Sequence, residues 1–175
     1  MSAPNLEDAL VQYLQYLEVI RGYSDHTISN YRRDLGKLIE FSETRNITTP
    51  DALHSADIRQ WVAMLSRDKL APSSIQRHLS AARSLFKFLR RTNPTLADPT
   101  QGVRAPRVPR TLPKTLEADQ ITQLLDHNPE SALLTRDHAI AELLYSAGLR
   151  LSELVGANLC DLDRQEKVVT VLGKG

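Results

Sequence analysis

The chain has 175 residues, of which 41% are hydrophobic and 25% are charged, a composition typical of a folded globular protein. Its single cysteine, Cys160, excludes an intrachain disulfide and a cysteine-rich zinc cluster. No apolar run is long enough for a membrane span, and the first residues carry acids where a signal peptide would be positive. We therefore expect a cytoplasmic protein without a membrane partner, and the sequence shows no metal site.

The formal net charge of +1 conceals an uneven distribution along the chain. Residues 1–114 carry a balance of +6, whereas residues 115–175 carry −5. Between Lys69 and Lys114 there are ten basic residues and one acid, Asp98. Such a stretch is typical of a nucleic-acid partner, and a solvated helix face followed by a basic linker is the alternative explanation.

Apolar residues recur at helical spacing in three segments before residue 70, and none shows the two-residue period of a strand. The first helix is predicted to begin after the N-cap candidate Asn5 and to end at Gly22. The second is predicted to start near Ser24 and the third after Ser55. Their apolar positions are Leu6, Leu10, Tyr13, Leu14, Leu17 and Ile20, then Ile28, Tyr31, Leu35, Leu38 and Ile39, then Ile58, Trp61, Val62 and Leu65. The second helix leaves Asn30, Arg32, Arg33 and Lys37 more exposed.

A fourth helix is predicted from Pro72, a suitable first-turn residue, to Arg91. One face of this helix is apolar, with Ile75, Leu79, Ala82, Phe86 and Leu89. The other face is cationic and polar, with Gln76, Arg77, Ser80, Arg83, Ser84, Lys87, Arg90 and Arg91. Arginine and glutamine reach base edges in a major groove, and serine, lysine and arginine bind phosphates. The pattern therefore predicts a helix that binds duplex DNA.

Residues 94–115 contain five prolines and no apolar periodicity, which predicts an extended linker. Its basic residues Arg104, Arg107, Arg110 and Lys114 are candidates to follow a phosphate backbone. Beyond it we expect helices at 117–126 and 136–147, the second capped by Thr135 and ended by Gly148. A short helix and a strand over 168–172 follow, and the strand's hairpin partner is expected to be missing, as in a truncated domain.

Arg150 and Lys174 each have two interpretations when only the residues are considered. Arg150 lies between Leu149 and Leu151, and such an arginine is usually an ordinary one that pairs with a carboxylate such as Glu153. Lys174 lies between two glycines and is either a solvated turn residue or a flexible proton donor.

The segments TISNYRRDL, IQRHLSAARSLFKFLRR, RAPRVPRTLPKTL, RDHAIAELLYSAGLRLSELVG and VLGKG together resemble the tyrosine site-specific recombinases of the bacterial Xer type. The linker and the arginine segment resemble the XerC branch of that family more than the XerD branch. The resemblance implies a mainly α fold: a four-helix, SAM-like core-binding domain, then the start of an α+β catalytic domain. The implied boundaries are residues 1–93, a basic linker over 94–115, and 116–175.

The resemblance also implies a mechanism, in which a tyrosine attacks a phosphodiester to give a 3′-phosphotyrosine, without metal or cofactor. Arg150 matches the family's stabiliser of phosphoryl charge, Lys174 its general acid, and Glu153 a carboxylate that orients the arginine. DNA contacts are expected from Arg32, Arg33, Lys37, Gln76, Arg77, Ser80, Arg83, Lys87, Arg91, Arg107 and Arg110. The implied partners are a duplex recombination site, a paralogous Xer recombinase in a heterotetramer, and a translocase of the FtsK type.

The match is incomplete, because the family's His-x-x-Arg segment and nucleophilic tyrosine have no counterpart after Lys174. All five tyrosines precede Arg150, so this chain is expected to bind DNA without cleaving it. The parent is expected to resolve chromosome or plasmid multimers. A phage or integron-type integrase and a non-catalytic DNA-binding module are the alternatives.

Overall fold

The structure is a computed structural model that describes residues 5–108, 112, 115–126 and 131–173. The chain divides into two compact units, Met1–Arg110 and Thr111–Gly175. No helix in the described part of the chain combines the length and apolarity needed to cross a lipid bilayer.

The described part of the first unit, residues 5–108, is all-α, as the sequence predicts, and contains four α-helices. Asn5 caps the first, because its Oδ1 accepts a hydrogen bond from the Asp8 backbone N–H at 2.7 Å. Pro72 occupies the first turn of the fourth, where its missing N–H leaves no bond unmade. The elements are α1 (Leu6–Gln15), a π-helical turn (Tyr16–Ile20), α2 (Asp25–Glu43), a 3-10 turn (Pro50–Ala52), α3 (Ser55–Arg67) and α4 (Pro72–Thr92).

The hydrophobic core of the first unit is built on the apolar faces predicted for these helices. Trp61, Tyr13 and Phe86 are its largest fully buried side chains. The apolar face of α4 is also buried, at Ile75, Leu79, Ala82, Phe86 and Leu89. Each fully buried large apolar side chain contributes about 1.5–3 kcal/mol through removal from water, so this core holds α4 in one orientation.

The first helical segment is closed by Gly22 with a φ of 61°, as predicted, but the prediction for the apolar face of its last turn is wrong. The Arg21 N–H donates to the Tyr16 carbonyl at 3.2 Å, five residues earlier, so the last turn is π-helical. The wider turn changes the angular position of the residues that follow Tyr16. Leu17 stays buried, but Ile20, predicted to be in the apolar face, is 69% exposed.

Part of the segment predicted as an extended linker is packed onto the first unit. Leu96, Thr100 and Val103 are buried, and the Asp98 carboxylate accepts bonds from the Thr100 N–H at 2.9 Å and hydroxyl at 2.6 Å. The linker prediction therefore needs correction over 94–103, because isolated apolar residues anchor a turn without producing helical periodicity. Among the described residues, the exposed basic stretch begins at Arg104.

The second unit contains α5 (Ala118–Leu125), α6 (Ala132–Ser146), α7 (Leu151–Gly156) and a 3-10 turn (Leu159–Asp161). The helix predicted over 136–147 begins earlier, because the cap is Ser131 and not Thr135. The Ser131 hydroxyl accepts from the Leu134 N–H at 3.3 Å, whereas the Thr135 hydroxyl donates to the Ser131 carbonyl at 3.0 Å inside the helix. Gly148 follows α6 with a φ of 61°, the left-handed conformation that glycine adopts without strain.

The strand predicted over 168–172 is shorter than expected and has a partner. β2 (Val168–Val169) pairs antiparallel with β1 (Leu162–Asp163), with Leu162 opposite Val169. The Asp163 carboxylate accepts from the N–H groups of Gln165 and Glu166, which closes the turn between the strands. β1 was not predicted from the sequence, because a two-residue strand is too short to show alternation. β1 precedes β2, so the hairpin partner expected to be missing after the Gly173–Gly175 turn is a different strand, and that expectation stays a prediction.

Candidate nucleic-acid interface and catalytic arginine

The polar face of α4 is presented to solvent because the opposite face is fixed in the core. Gln76, Ser80, Lys87 and Arg90 are exposed, as the helical spacing predicts. Five basic residues lie along this helix, and its sequence contains no acid. A rigid helix with this distribution has the charge and the hydrogen-bonding groups that a DNA major groove requires.

Arg77 does not extend freely from this face, since it is bonded to a buried carboxylate on α2. Its Nε lies 2.8 Å from Asp34 Oδ2, and its Nη2 donates to Asp34 Oδ1 at 2.9 Å. Asp34 is 2% exposed and His78, next to Arg77 on α4, is 3% exposed. The His78 Nδ1 lies 2.8 Å from the Ser74 carbonyl, and its Nε2 lies 3.7 Å from Asp34 Oδ1.

Two more cations of the predicted DNA-binding face have partners inside the first unit. Arg83 donates to the Val103 carbonyl at 2.6 Å, which ties α4 to the packed turn over 94–103. Arg91 donates to the Tyr16 hydroxyl, and its guanidinium lies 5.3 Å from the centre of that ring. Both side chains remain exposed in part, so these bonds orient them without removing their charge from the surface.

On α2, the predicted basic residues differ in their surroundings. Arg32 is exposed, Lys37 is half-buried, and Arg33 donates to Asn30 Oδ1 at 2.7 Å. A small groove of about 180 Å³ lies between α2 and α4, so that residues of both helices line one surface. Its lining consists of Thr27, Asn30, Tyr31, Asp34, Arg77, Ser80 and Ala81.

The exposed basic segment after residue 103 is described only in part. Arg104 and Arg107 are exposed, as expected of residues that contact a phosphate backbone. Arg110 and Lys114 lie outside the described residues, so their predicted contacts remain sequence-based.

An aromatic cluster joins α1, the π-helical turn, α2 and α4. Tyr13 is its centre: its ring lies 5.7 Å from that of Tyr31 and 5.4 Å from that of Phe88, and its hydroxyl donates to Ser84 at 2.7 Å. Burial raises the pKa of the Tyr13 phenol, so this hydroxyl stays protonated. Four of the five tyrosines, Tyr13, Tyr16, Tyr23 and Tyr31, pack in or against this cluster.

In the second unit, Arg150 immediately precedes α7 and is held by Glu153. The Glu153 carboxylate accepts from the Arg150 backbone N–H at 2.8 Å and from its Nη1 at 2.5 Å. These two bonds lower the pKa of Glu153, and the bond from the backbone N–H has the larger effect. The Arg150 side chain is 69% exposed, whereas that of Glu153 is 10% exposed. The guanidinium is therefore accessible to solvent while the carboxylate that holds it is largely covered. Lys174 lies outside the described residues.

The sequence reasoning missed Asp34 and His78, which are buried beside the polar face of α4 that is predicted to bind DNA. A signal was present for Asp34, because it lies three residues after Tyr31 and four before Leu38 on the apolar side of α2. An acid at such a position needs a buried partner, and the sequence does not show which basic residue supplies it.

Two family models match the chain: the N-terminal SAM-like domain of phage integrases over residues 10–93, and the phage integrase family over residues 114–175. Together the two models cover most of the chain, which therefore belongs to the phage integrase family. It has the predicted mainly α fold, with a SAM-like domain followed by the start of the catalytic domain.

Among curated relatives, the chain is 43% identical over 164 residues to the tyrosine recombinase XerC of Pseudomonas aeruginosa, covering 93% of this chain and 54% of that protein. It is 41% identical over 167 residues to XerC of Xanthomonas campestris, covering 95% of this chain and 52% of that protein. The chain thus spans about half the length of these relatives. These matches agree with the predicted resemblance to the XerC branch.

Among solved structures, the Tn1549 transposon integrase in complex with a circular intermediate DNA matches with a TM-score of 0.70 at 16% identity, over 92% of this chain and 51% of that one. The N-terminal domain of a phage integrase from Haloarcula marismortui matches with a TM-score of 0.53 at 17% identity, over 61% of this chain and all of that one. At these identities the similarity establishes the fold.

Proposed function

We propose that this chain is the DNA-binding portion of a tyrosine recombinase that cuts and rejoins DNA at a specific site through a 3′-phosphotyrosine. The observation that carries the proposal is the geometry of α4, whose apolar face is buried while its opposite face presents Gln76, Arg77, Ser80 and Lys87. A helix held in this way enters a major groove without rearrangement of the domain.

Binding is proposed to involve the surface formed by α2 and α4, followed by the basic segment from Arg104. Lys87, Arg83 and Arg91 supply positive charge for phosphates along α4. Arg32, Arg33 and Lys37 do so along α2, and Arg107 and Arg110 extend the contact beyond the helices. Neutralising phosphates releases counterions, so the affinity is expected to fall steeply with salt.

Arg150 is proposed to stabilise the charge that develops on the phosphoryl oxygens during strand cleavage. Because Glu153 occupies one donor of Nη1 and the backbone N–H, the guanidinium is oriented and its other N–H groups remain for the non-bridging oxygens. Lys174 is proposed as the general acid that protonates the leaving 5′-oxygen. The nucleophilic tyrosine is proposed to come from the part of the parent protein that these 175 residues do not include.

The biological role that follows is the resolution of chromosome or plasmid multimers in the cytoplasm. A paralogous Xer recombinase is the proposed partner on the DNA, and a translocase of the FtsK type is the proposed activator. The similarity to curated XerC proteins supports this role over that of a mobile-element integrase, since the fold alone is common to both.

The binding step is tested by fluorescence anisotropy with a labelled Xer-type duplex of about 30 base pairs, long enough for two half-sites, and a scrambled duplex. Lys87→Glu is expected to weaken binding to both duplexes and to reduce the salt-dependence slope by about 0.9 or more, since it removes a phosphate contact. Arg59→Glu, an equal charge change at an exposed position of α3, is the matched control and is expected to have the smaller effect. Equal effects of the two substitutions would contradict the assignment of α4.

The catalytic step is tested in the complete parent protein with a nicked substrate that traps the covalent complex. Arg150→Ala is expected to reduce covalent complex formation by about 100-fold or more while leaving DNA binding intact. Arg164→Ala, an exposed arginine between β1 and β2, is the control and is expected to cleave normally. Normal cleavage by Arg150→Ala would contradict the proposed role, and cleavage by residues 1–175 alone would contradict the proposed origin of the nucleophile.

A further inference from the structure

The pairing of Arg77 with Asp34 defines which part of the guanidinium faces outward. A guanidinium has two edges that each offer a pair of parallel N–H donors: the Nε/Nη edge and the Nη/Nη edge. Both oxygens of Asp34 lie on the first of these, through Nε at 2.8 Å and Nη2 at 2.9 Å. The group is planar, so the Nη1/Nη2 edge is directed away from Asp34, and 49% of the side chain is exposed.

Asp34 holds this geometry firmly because its own charge is buried. Its side chain is 3% exposed, and an unpaired carboxylate in such a place is strongly destabilising. Two further basic groups face the same carboxylate, Arg33 Nε at 3.9 Å and His78 Nε2 at 3.7 Å from Oδ1. Of the described residues, only Arg77 contacts both oxygens. Arg77 therefore has its rotamer fixed before any ligand arrives, which lowers the entropy lost on binding.

The surroundings of the outer edge suit a neutral acceptor better than a phosphate. The groove between α2 and α4 is lined by the small neutral groups Thr27, Asn30 and Ser80, and Arg77 is its one cation among the described residues. Both oxygens of the Asp34 carboxylate face that cation, so a phosphate at the outer edge of Arg77 would gain less from its charge than at an unpaired cation. The O6 and N7 atoms of guanine, in contrast, form a neutral pair of acceptors that matches the two parallel donors.

We propose that Asp34 is a positioning residue for sequence readout: it holds Arg77 so that the Nη1/Nη2 edge donates two hydrogen bonds to O6 and N7 of one guanine in the major groove. This proposal rests on the proposed function, in which α4 binds duplex DNA. In this proposal two residues of α4 have different roles: Arg77 reads a base, and Lys87 contacts the phosphate backbone.

The test is selection by the full 175-residue chain from a duplex library with a randomised half-site, followed by affinity measurements across a salt series. The wild type is expected to select guanine at one position. Asp34→Asn keeps the shape but presents an amide NH2 to the guanidinium donors, so it releases Arg77. In this variant the preference for guanine over the other bases at that position is expected to fall by about 5-fold to 150-fold, the range for one bidentate contact. The preferences at the other positions are expected to stay unchanged. Arg77→Lys, which keeps the charge but lacks the parallel donors, is expected to lose the same preference.

Lys87→Gln is the matched control on the same helix, expected to keep every base preference and to lower the salt slope by about 0.9. Retention of the guanine preference by Asp34→Asn would overturn the proposal, and so would an even loss of preference at all positions. Failure of the wild-type chain to bind any duplex would instead overturn the proposed function itself.

A measurement on the wild type keeps the proposal testable if Asp34→Asn does not fold. In the free chain, the Nε–H of Arg77 is expected to give an NMR signal with slow hydrogen exchange and restricted motion, because Asp34 accepts its bond. The exposed Arg32 provides the reference for an arginine on the same surface. An Arg77 Nε–H as mobile and as rapidly exchanging as that of Arg32 would overturn the proposal.

Discussion

The two units differ in what holds their helices in place. In the first, all four α-helices contribute to one buried core around Trp61, Tyr13 and Phe86. In the second, no described residue is fully buried, and large apolar side chains such as Leu133, Leu151 and Val155 are exposed. The described helices of the second unit carry clear local signals, such as the Ser131 cap and the left-handed Gly148.

This difference indicates where a rigid surface can be built. The DNA-reading face proposed on α4 requires fixed side chains, and the buried core behind the helix supports them. Among the described residues, Arg150 is instead oriented by Glu153, three residues away on the same segment. We therefore expect the candidate surface of the first unit to be the more rigid one, and the following substitutions test this contrast from the largest expected effect to the smallest.

Removal of a core side chain from the first unit is expected to have the largest effect. Phe86→Ala leaves a cavity behind α4 and is expected to lower the free energy of unfolding by about 3–5 kcal/mol. Leu133→Ala, in α6, removes an exposed side chain and is expected to change it by less than about 0.5 kcal/mol. Urea unfolding followed by the fluorescence of Trp61, the only tryptophan, measures the effect on the first unit, and far-UV circular dichroism follows the helices of both units. A small effect of Phe86→Ala would break the comparison.

Ion pairs in the two units provide a second contrast. Arg77→Met leaves the Asp34 carboxylate buried without its main partner, and we expect a loss of about 2 kcal/mol, less than for a fully buried pair because Arg77 is half exposed. Arg136→Met breaks the exposed pair with Asp137, in which Nη2 and Oδ1 lie 2.7 Å apart, and no measurable change is expected. Urea unfolding curves of both variants measure these changes in the free energy of unfolding. Equal losses for the two variants would contradict the burial of the Asp34 carboxylate.

The N-caps of α1 and α6 allow a third comparison between the two units, with smaller expected changes in stability. Asn5→Ala removes the bond to the Asp8 N–H and is expected to cost about 1 kcal/mol. Ser131→Ala removes a longer bond, 3.3 Å, to the Leu134 N–H and is expected to cost less. Hydrogen exchange at the Asp8 and Leu134 amides reports each cap separately. Unchanged exchange at Asp8 in the Asn5 variant would show that this cap does not stabilise α1.

The smallest expected effect is the pH dependence at Glu153. Its folded pKa is lowered from the ordinary 4.5, so the bonds to Arg150 stabilise the start of α7 above that value and are lost as the pH falls through the lower folded pKa. An NMR titration of the Glu153 carboxyl carbon is expected to show the low midpoint. Because the backbone bond is the larger cause, Arg150→Ala is expected to raise the midpoint only in part. A full return to 4.5 would show that the side chain dominates.

Much of the fold could be predicted from the sequence, because the apolar spacing of each helix in the first unit coincides with its buried face. Errors occurred where the backbone departs from regular geometry or where short local signals compete. The π-helical turn exposes Ile20, Ser131 replaces Thr135 as the cap of α6, and the two-residue β1 pairs with β2. The anchoring of residues 94–103 by Leu96 and Val103 was also missed.

Of the candidate sites, the charge and position of the α4 face and the juxtaposition of Arg150 with Glu153 are properties of the sequence by itself, because both depend on helical spacing and near neighbours. The pairing of Arg77 with Asp34 is a property of the tertiary structure, since the two residues are 43 positions apart and meet only when α2 packs against α4. The same holds for Arg83 and the Val103 carbonyl, and for Tyr13 and Ser84. Sequence periodicity determines which residues share a helix face, but only packing determines which groups from different helices satisfy one another's hydrogen bonds and charges.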